Sequence, residues 1–177
     1  MVMAVTHAIL RMLSEQEVAP AWIVTELNRE ACRNNATGTF VTLFLGVLDL
    51  STGRLRYCNA GHDRPVLVGD SVEELPALAN VPVGVFDDVT YQEQETMVAP
   101  GSLLFLYTDG VTEAMDAGRR QFGRERLLGA LAACPRKPDV LIRTVGADIR
   151  AFAGEAEQSD DLTLLALHYH PNEETIG

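Results

Sequence analysis

The sequence predicts an α+β fold: antiparallel sheets with helices packed outside them. Three observations carry this. Apolar, β-forming runs follow one another through short turn-like breaks, as hairpins do. Helical periodicity is confined to the first 35 residues and to a stretch near the end. Strands and helices do not alternate in the manner of a βαβ chain.

The elements follow in order. Val5, Ile9, Met12 and Leu13 recur at the spacing of one helical face. Pro20 suits the first turn of a second helix, where its missing N–H costs nothing, and Ile23, Val24, Leu27 and Ala31 give that helix its stripe. The run from Phe40 to Leu48 reads as a central strand, and the loop from Asp49 to Gly53 as a hairpin turn with Gly53 able to take a positive φ. Arg54 to Asn59 alternates with period two, which predicts a strand with one face on the core. Pro65 to Val68 is a brief strand, and Leu75 to Asp88 is broken by Pro, Gly and Asp and reads as irregular. Tyr91 to Met97 alternates again, Pro100-Gly101 is a tight turn, and Leu103 to Tyr107 is an apolar strand. Leu127, Leu128, Leu131 and Ala132 mark one further helix; Leu141, Val145, Ile149 and Phe152 mark another, entered through Pro138. Leu162 to Tyr169 is the last strand. One domain over residues 1–170 and a frayed tail over 171–177 are expected.

Composition narrows the function classes. With 177 residues, 47% of them apolar and 22% charged, the chain is long and apolar enough for one cored domain. A net charge of −11 and the absence of a basic run argue against nucleic acid, because phosphate neutralisation needs clustered Lys and Arg. No apolar stretch is long enough to span a bilayer, and the first residues lack the basic region and cleavage site of a secretory signal. Cys32, Cys58 and Cys134 are an odd number without CxxC spacing, so reduced thiols and a cytoplasmic location are expected.

Chemistry concentrates in three stretches. The strand ending in Tyr107-Thr108 delivers Asp109 and then Gly110, a carboxylate on a rigid strand end beside a residue that lets a ligand approach the backbone. Asp-Gly is equally a common turn dipeptide. Ser159-Asp160-Asp161 opens the last strand with two adjacent carboxylates, which repel unless a cation or hydrogen bonds offset them; a solvated loop end is the plainer reading. Oxygen-only donors suit Mg²⁺ or Mn²⁺ rather than zinc. Asn59-Ala60-Gly61-His62-Asp63-Arg64 closes a strand, with His62 and Arg64 as candidates for a phosphate contact or as ordinary loop residues. Arg119, Arg120, Arg124 and Arg126 lie close together as a candidate basic face for an acidic partner, or as a solvated helix start. There is no Gly-rich phosphate loop, HExxH or nucleophile elbow.

Phe40-Val-Thr-Leu-Phe-Leu-Gly-Val-Leu-Asp49, Asn59-Ala-Gly-His62, Leu106-Tyr-Thr-Asp-Gly-Val-Thr-Glu-Ala114 and Ser159-Asp-Asp-Leu-Thr163 occur in one order. In this the chain resembles the SpoIIE/RsbU-type serine phosphatases of the metal-dependent PPM superfamily. The resemblance implies a sandwich of two antiparallel sheets flanked by helices, with two Mn²⁺ or Mg²⁺ ions at one end and a metal-bound water that attacks phosphoserine or phosphothreonine. It implies that Asp109 and Asp160 are metal-binding aspartates, that Gly110 allows close approach, and that Asp161 is a neighbouring or alternative ligand. The implied substrate is a phosphorylated anti-sigma-factor antagonist. The family's GDxYD and DVxGHG motifs do not occur here. The expectation is therefore a chain that starts just after the first half of the metal centre, binds a single ion weakly, has little activity alone, and self-associates through strand edges left unpaired.

Three readings stay open at this point. The chain is a phosphatase domain, a phosphatase-like module that grips a partner-switching protein without cleaving it, or a plain scaffold whose aspartates are loop carboxylates.

Overall fold

The computed structural model describes residues 19–33, 35, 38–156 and 160–171. The first predicted helix, around Val5 to Leu13, and the tail beyond 171 lie outside them. The described chain is α+β, with two antiparallel sheets, and its contacts gather into two compact units.

The first unit takes Met1–Asp49, Arg54–His62 and Pro76–Met97. Its helix α1 (Pro20–Arg33) begins on the proline, as expected, and buries Ile23, Val24 and Leu27. Strands β1 (Leu43–Leu48), β2 (Arg54–Ala60) and β5 (Gln94–Met97) form its sheet in the order β1-β2-β5. The strand expected at the centre, β1, stands at an edge among the described residues. Its register runs from Leu43 opposite Ala60 to Leu48 opposite Leu55. The centre belongs to β2, whose second half, Tyr57 to Ala60, is buried on both faces rather than on one. Cys58 and Ala60 pack with Val24 of α1, while Tyr57 on the opposite face donates to Pro76 O at 2.8 Å, and local alternation cannot report cover on both faces. Val24 of α1 packs with Cys58, Ala60, Val83 and Tyr91 as this unit's core.

Asn28 is fully buried on α1, and its side chain replaces secondary structure for the irregular segment the sequence predicts. Its Nδ2 donates to Phe86 O at 2.7 Å, and its Oδ1 accepts from Gly84 N at 2.8 Å and from Tyr91 Oη at 3.2 Å. Asn35 Nδ2 donates to Gly84 O at 2.9 Å and Val83 exchanges backbone bonds with Val41, so side chains and one bridge together hold the buried part of this segment.

The second unit takes Leu50–Gly53, Asp63–Leu75 and Val98–Gly177. Its sheet has the order β4-β3-β6-β7, all antiparallel, from β3 (Val66–Val68), β4 (Val72–Glu74), β6 (Leu103–Tyr107) and β7 (Leu164–His168). On β6, Leu103, Phe105 and Tyr107 face a core completed by α3 (Gly123–Ala133) and α4 (Pro138–Ala153), through Leu127, Leu131, Leu141, Val145 and Ile149. β7 alternates: Leu164 and Ala166 pack on that core while Leu165 and Leu167 are exposed. Gly53 takes φ +76°, as its place in the turn predicts. A Cβ there would stand 2.5 Å from Val98 O, which closes the turn by accepting no substitute.

Candidate functional site

Asp109 does not sit in a turn. It is the first residue of a one-turn helix, α2 (Asp109–Thr112), entered from β6 through Thr108. Val111 N donates to Thr108 O at 2.9 Å and Glu113 N to Asp109 O at 2.9 Å, while Asp109 Oδ1 accepts from Gly110 N at 2.9 Å. The strand end therefore fixes the Asp109 backbone, and Val111, fully buried, anchors the turn in the core.

The segment that starts β7 lies directly against this turn. Thr108 ties the two together: its hydroxyl donates to Asp161 O at 3.0 Å and accepts from Thr163 N at 3.1 Å, and its own N–H donates to Thr163 O at 3.2 Å. Gly110 makes the approach possible. A Cβ at Gly110 would stand 2.6 Å from Asp161 O and 3.4 Å from the Asp160 Cβ. Asp160 in turn accepts a 2.7 Å hydrogen bond from Asp161 N. Asp109, Gly110, Asp160 and Asp161 are thus brought together across fifty residues of sequence, and the three aspartates are exposed.

The donors gathered here are carboxylate and carbonyl oxygens, with no nitrogen or sulfur ligand. That chemistry fits a hard divalent ion such as Mg²⁺ or Mn²⁺. Among the described residues no three Asp, Glu, His or Cys side chains converge as a group that could hold a metal ion.

His62 and Arg64 lie in the loop that follows β2. In the first unit, the Asn59 side chain closes the loop into His62, donating to His62 O and accepting from His62 N, both at 2.8 Å. In the second unit, exposed Arg64 favours ionisation of the Tyr107 hydroxyl, as does Arg124; burial, reinforced by Asp63 and Glu74, outweighs both and pushes that hydroxyl up to about 12. The arginine cluster is not an open basic face. Arg120 pairs with Asp116 at 2.6 Å, Arg124 with the buried Glu74, and Arg126 donates to Phe122 O at 2.7 Å while its guanidinium lies 4.8 Å from the Phe152 ring centre. Glu74 lies fifty residues from Arg124, out of reach of a local reading, whereas Asp116 is four residues from Arg120. Thr108 was the residue the sequence reading missed; a Thr directly before the strand-end Asp was its only signal.

Comparison with known proteins supports the α+β fold of a metal-dependent PPM phosphatase that the sequence motifs imply. The chain belongs to the SpoIIE family: the model for stage II sporulation protein E matches residues 1–170. It is 32% identical over 131 residues to protein IcfG of Synechocystis, covering 73% of this chain, and 26% identical over 117 residues to the phosphoserine phosphatase RsbP of Bacillus subtilis, covering 60%. It spans only 20% of IcfG and 28% of RsbP. Among solved structures, the RsbU and RsbW domains of Rv1364c from Mycobacterium tuberculosis match with TM-score 0.78 at 24% identity, over 96% of this chain and 49% of that one. Two further matching structures are the SpoIIE phosphatase domain of Bacillus subtilis presoaked with Mn, at TM-score 0.65 and 14% identity, and RsbX in complex with magnesium, at TM-score 0.66 and 14% identity. No described helix is long and apolar enough to cross a membrane.

Proposed function

We propose that this chain serves a metal-dependent phosphatase that removes phosphate from phosphoserine or phosphothreonine on a regulatory protein of the anti-sigma-factor-antagonist type. The observation that supports it most is the approach of the Gly110 backbone to Asp160 and Asp161, which sets Asp109 beside Asp160. In this reading Asp109 and Asp160 hold Mn²⁺ or Mg²⁺, and Asp161 is a neighbouring or alternative ligand. When bound, the metal supplies a nucleophilic water at neutral pH and charge neutralisation on the phosphate. The chain's own work is positional. Thr108 clamps the carboxylate-bearing segments, Gly110 removes the side chain that would part them, and β6 and β7 hold both in register from Leu103 opposite His168 to Tyr107 opposite Leu164. His62 and Arg64 are the proposed phosphate contacts, through imidazole and guanidinium donors.

A second reading has its own support. Because the described residues gather fewer than three metal-binding side chains at one point, a module that binds the phosphoprotein without turnover also fits. Phosphate release from a serine-phosphorylated antagonist protein, measured with Mn²⁺ present, separates the two. Release that is lost in Asp109→Asn supports the phosphatase; binding of the phosphoprotein without release supports the module. Neither binding nor release would overturn both.

A further inference from the structure

His168 and His170 leave the last strand two residues apart, so both side chains fall on one face of it. His168 Nε2 lies 3.2 Å from Gly101 O. A carbonyl only accepts, so this nitrogen carries the proton, and His168 Nδ1 is left with its lone pair free to accept. That acceptor meets His170 Nε2 at 2.9 Å. An imidazole whose far N–H is held by a backbone carbonyl, with its near nitrogen turned outward, has the support that metal-binding histidines characteristically have.

The 2.9 Å separation is that of an N–H···N hydrogen bond, so the two ring nitrogens already face each other on one side of the strand. We propose that His168 and His170 form a two-histidine chelate for a borderline divalent ion of tetragonal preference, Cu²⁺ or Ni²⁺, separate from the oxygen-donor aspartates. On loading, His170 moves its proton to Nδ1 and its exposed ring swings aside, breaking the hydrogen bond, so that its Nε2 lone pair meets the ion on the His168 Nδ1 lone-pair axis. His168 need not move, since Gly101 already holds it. Water completes the shell, because no third protein ligand converges here among the described residues. The two sites divide ions by hardness: imidazole selects Cu²⁺ and Ni²⁺, and carboxylate selects Mn²⁺ and Mg²⁺.

The test uses the full chain and Ni²⁺, which does not oxidise the free thiols of Cys32, Cys58 and Cys134. Calorimetry should show one equivalent bound, with affinity falling by roughly tenfold or more in His170→Gln and in His168→Gln. The Asp109→Ala, Asp160→Ala double variant should keep that affinity. His170 is exposed, so its substitution leaves the fold intact, as an unchanged melting curve would verify. No nickel binding by the unmodified chain, or binding undiminished in His170→Gln, overturns the proposal.

Discussion

The carbonyl oxygen of Asp161 stands 2.6 Å from the point where a Cβ on Gly110 would be. No real side chain tolerates that distance to a backbone atom, so the residue after Asp109 is glycine for steric reasons. The Gly110 φ lies outside the positive region, and conformational freedom plays no part. Gly110→Ala is expected to push α2 and the 160–161 segment apart, at a stability cost of about 1–3 kcal/mol as for other overpacked sites. Thermal denaturation measures the cost, and a Mn²⁺ titration should show weakened binding in the same variant.

Thr108 offers a milder way to loosen the same contact. Thr108→Val keeps the shape but loses the hydroxyl bonds to Asp161 O and Thr163 N. The site is solvent-accessible, so water replaces part of each bond and the expected loss is about 1 kcal/mol. Thr108→Ser should recover most of it. Urea unfolding of the three proteins checks the order.

These two positions show what the sequence could and could not reveal. The strands from Leu43 to Leu48 and Leu103 to Tyr107 and the helices at Pro20 and Pro138 follow from local periodicity, and the structure has them. β4 escaped notice because Val72–Glu74 is three residues long and exists only through pairing with β3, Val66 opposite Glu74. Asp109-Gly110 read as a turn because nothing local distinguishes a turn glycine from one that admits a backbone fifty residues away. The motif residues and, through the family resemblance, their meeting were legible; the Thr108 bonds that tie the two segments together were not. The same limit applies to Arg124: the spacing of the arginines after Gly118 suggested a basic face, and Glu74, fifty residues earlier, pairs with it.

The Glu74 side chain is only 6% exposed and faces Arg124. Removing the cation alone strands a buried carboxylate. The Arg124 side chain is 59% exposed, so Arg124→Met is expected to cost about 1–3 kcal/mol, and adding Glu74→Leu should return most of that loss. A double-mutant cycle by chemical denaturation measures the coupling. Additive losses would mean that the pair acts as two independent surface groups.

Burial pushes the Cys58 thiol and the Tyr91 and Tyr107 hydroxyls up to about 12, from 9.0 for the thiol and 10.0 for the hydroxyls. All three are neutral when protonated, so the folded state holds protons that the unfolded chain releases on the way up. Their contribution is fully present below about pH 9 and is lost as pH rises toward 12. The urea midpoint should be flat from about pH 7 to about pH 9 and fall beyond it. In the folded protein, Cys58 should also react with iodoacetamide far more slowly than Cys134, which is partly exposed.

The pairing of Asp109 with Asp160 as ligands of one divalent ion is tested most directly by Mn²⁺ calorimetry on this chain and on the Asp109→Ala, Asp160→Ala double variant. Both side chains are exposed, so the variant should fold and melt as the parent does. The account predicts a saturable Mn²⁺ isotherm in the parent that disappears in the variant. An isotherm unchanged by the two substitutions, or none in the parent, would contradict it.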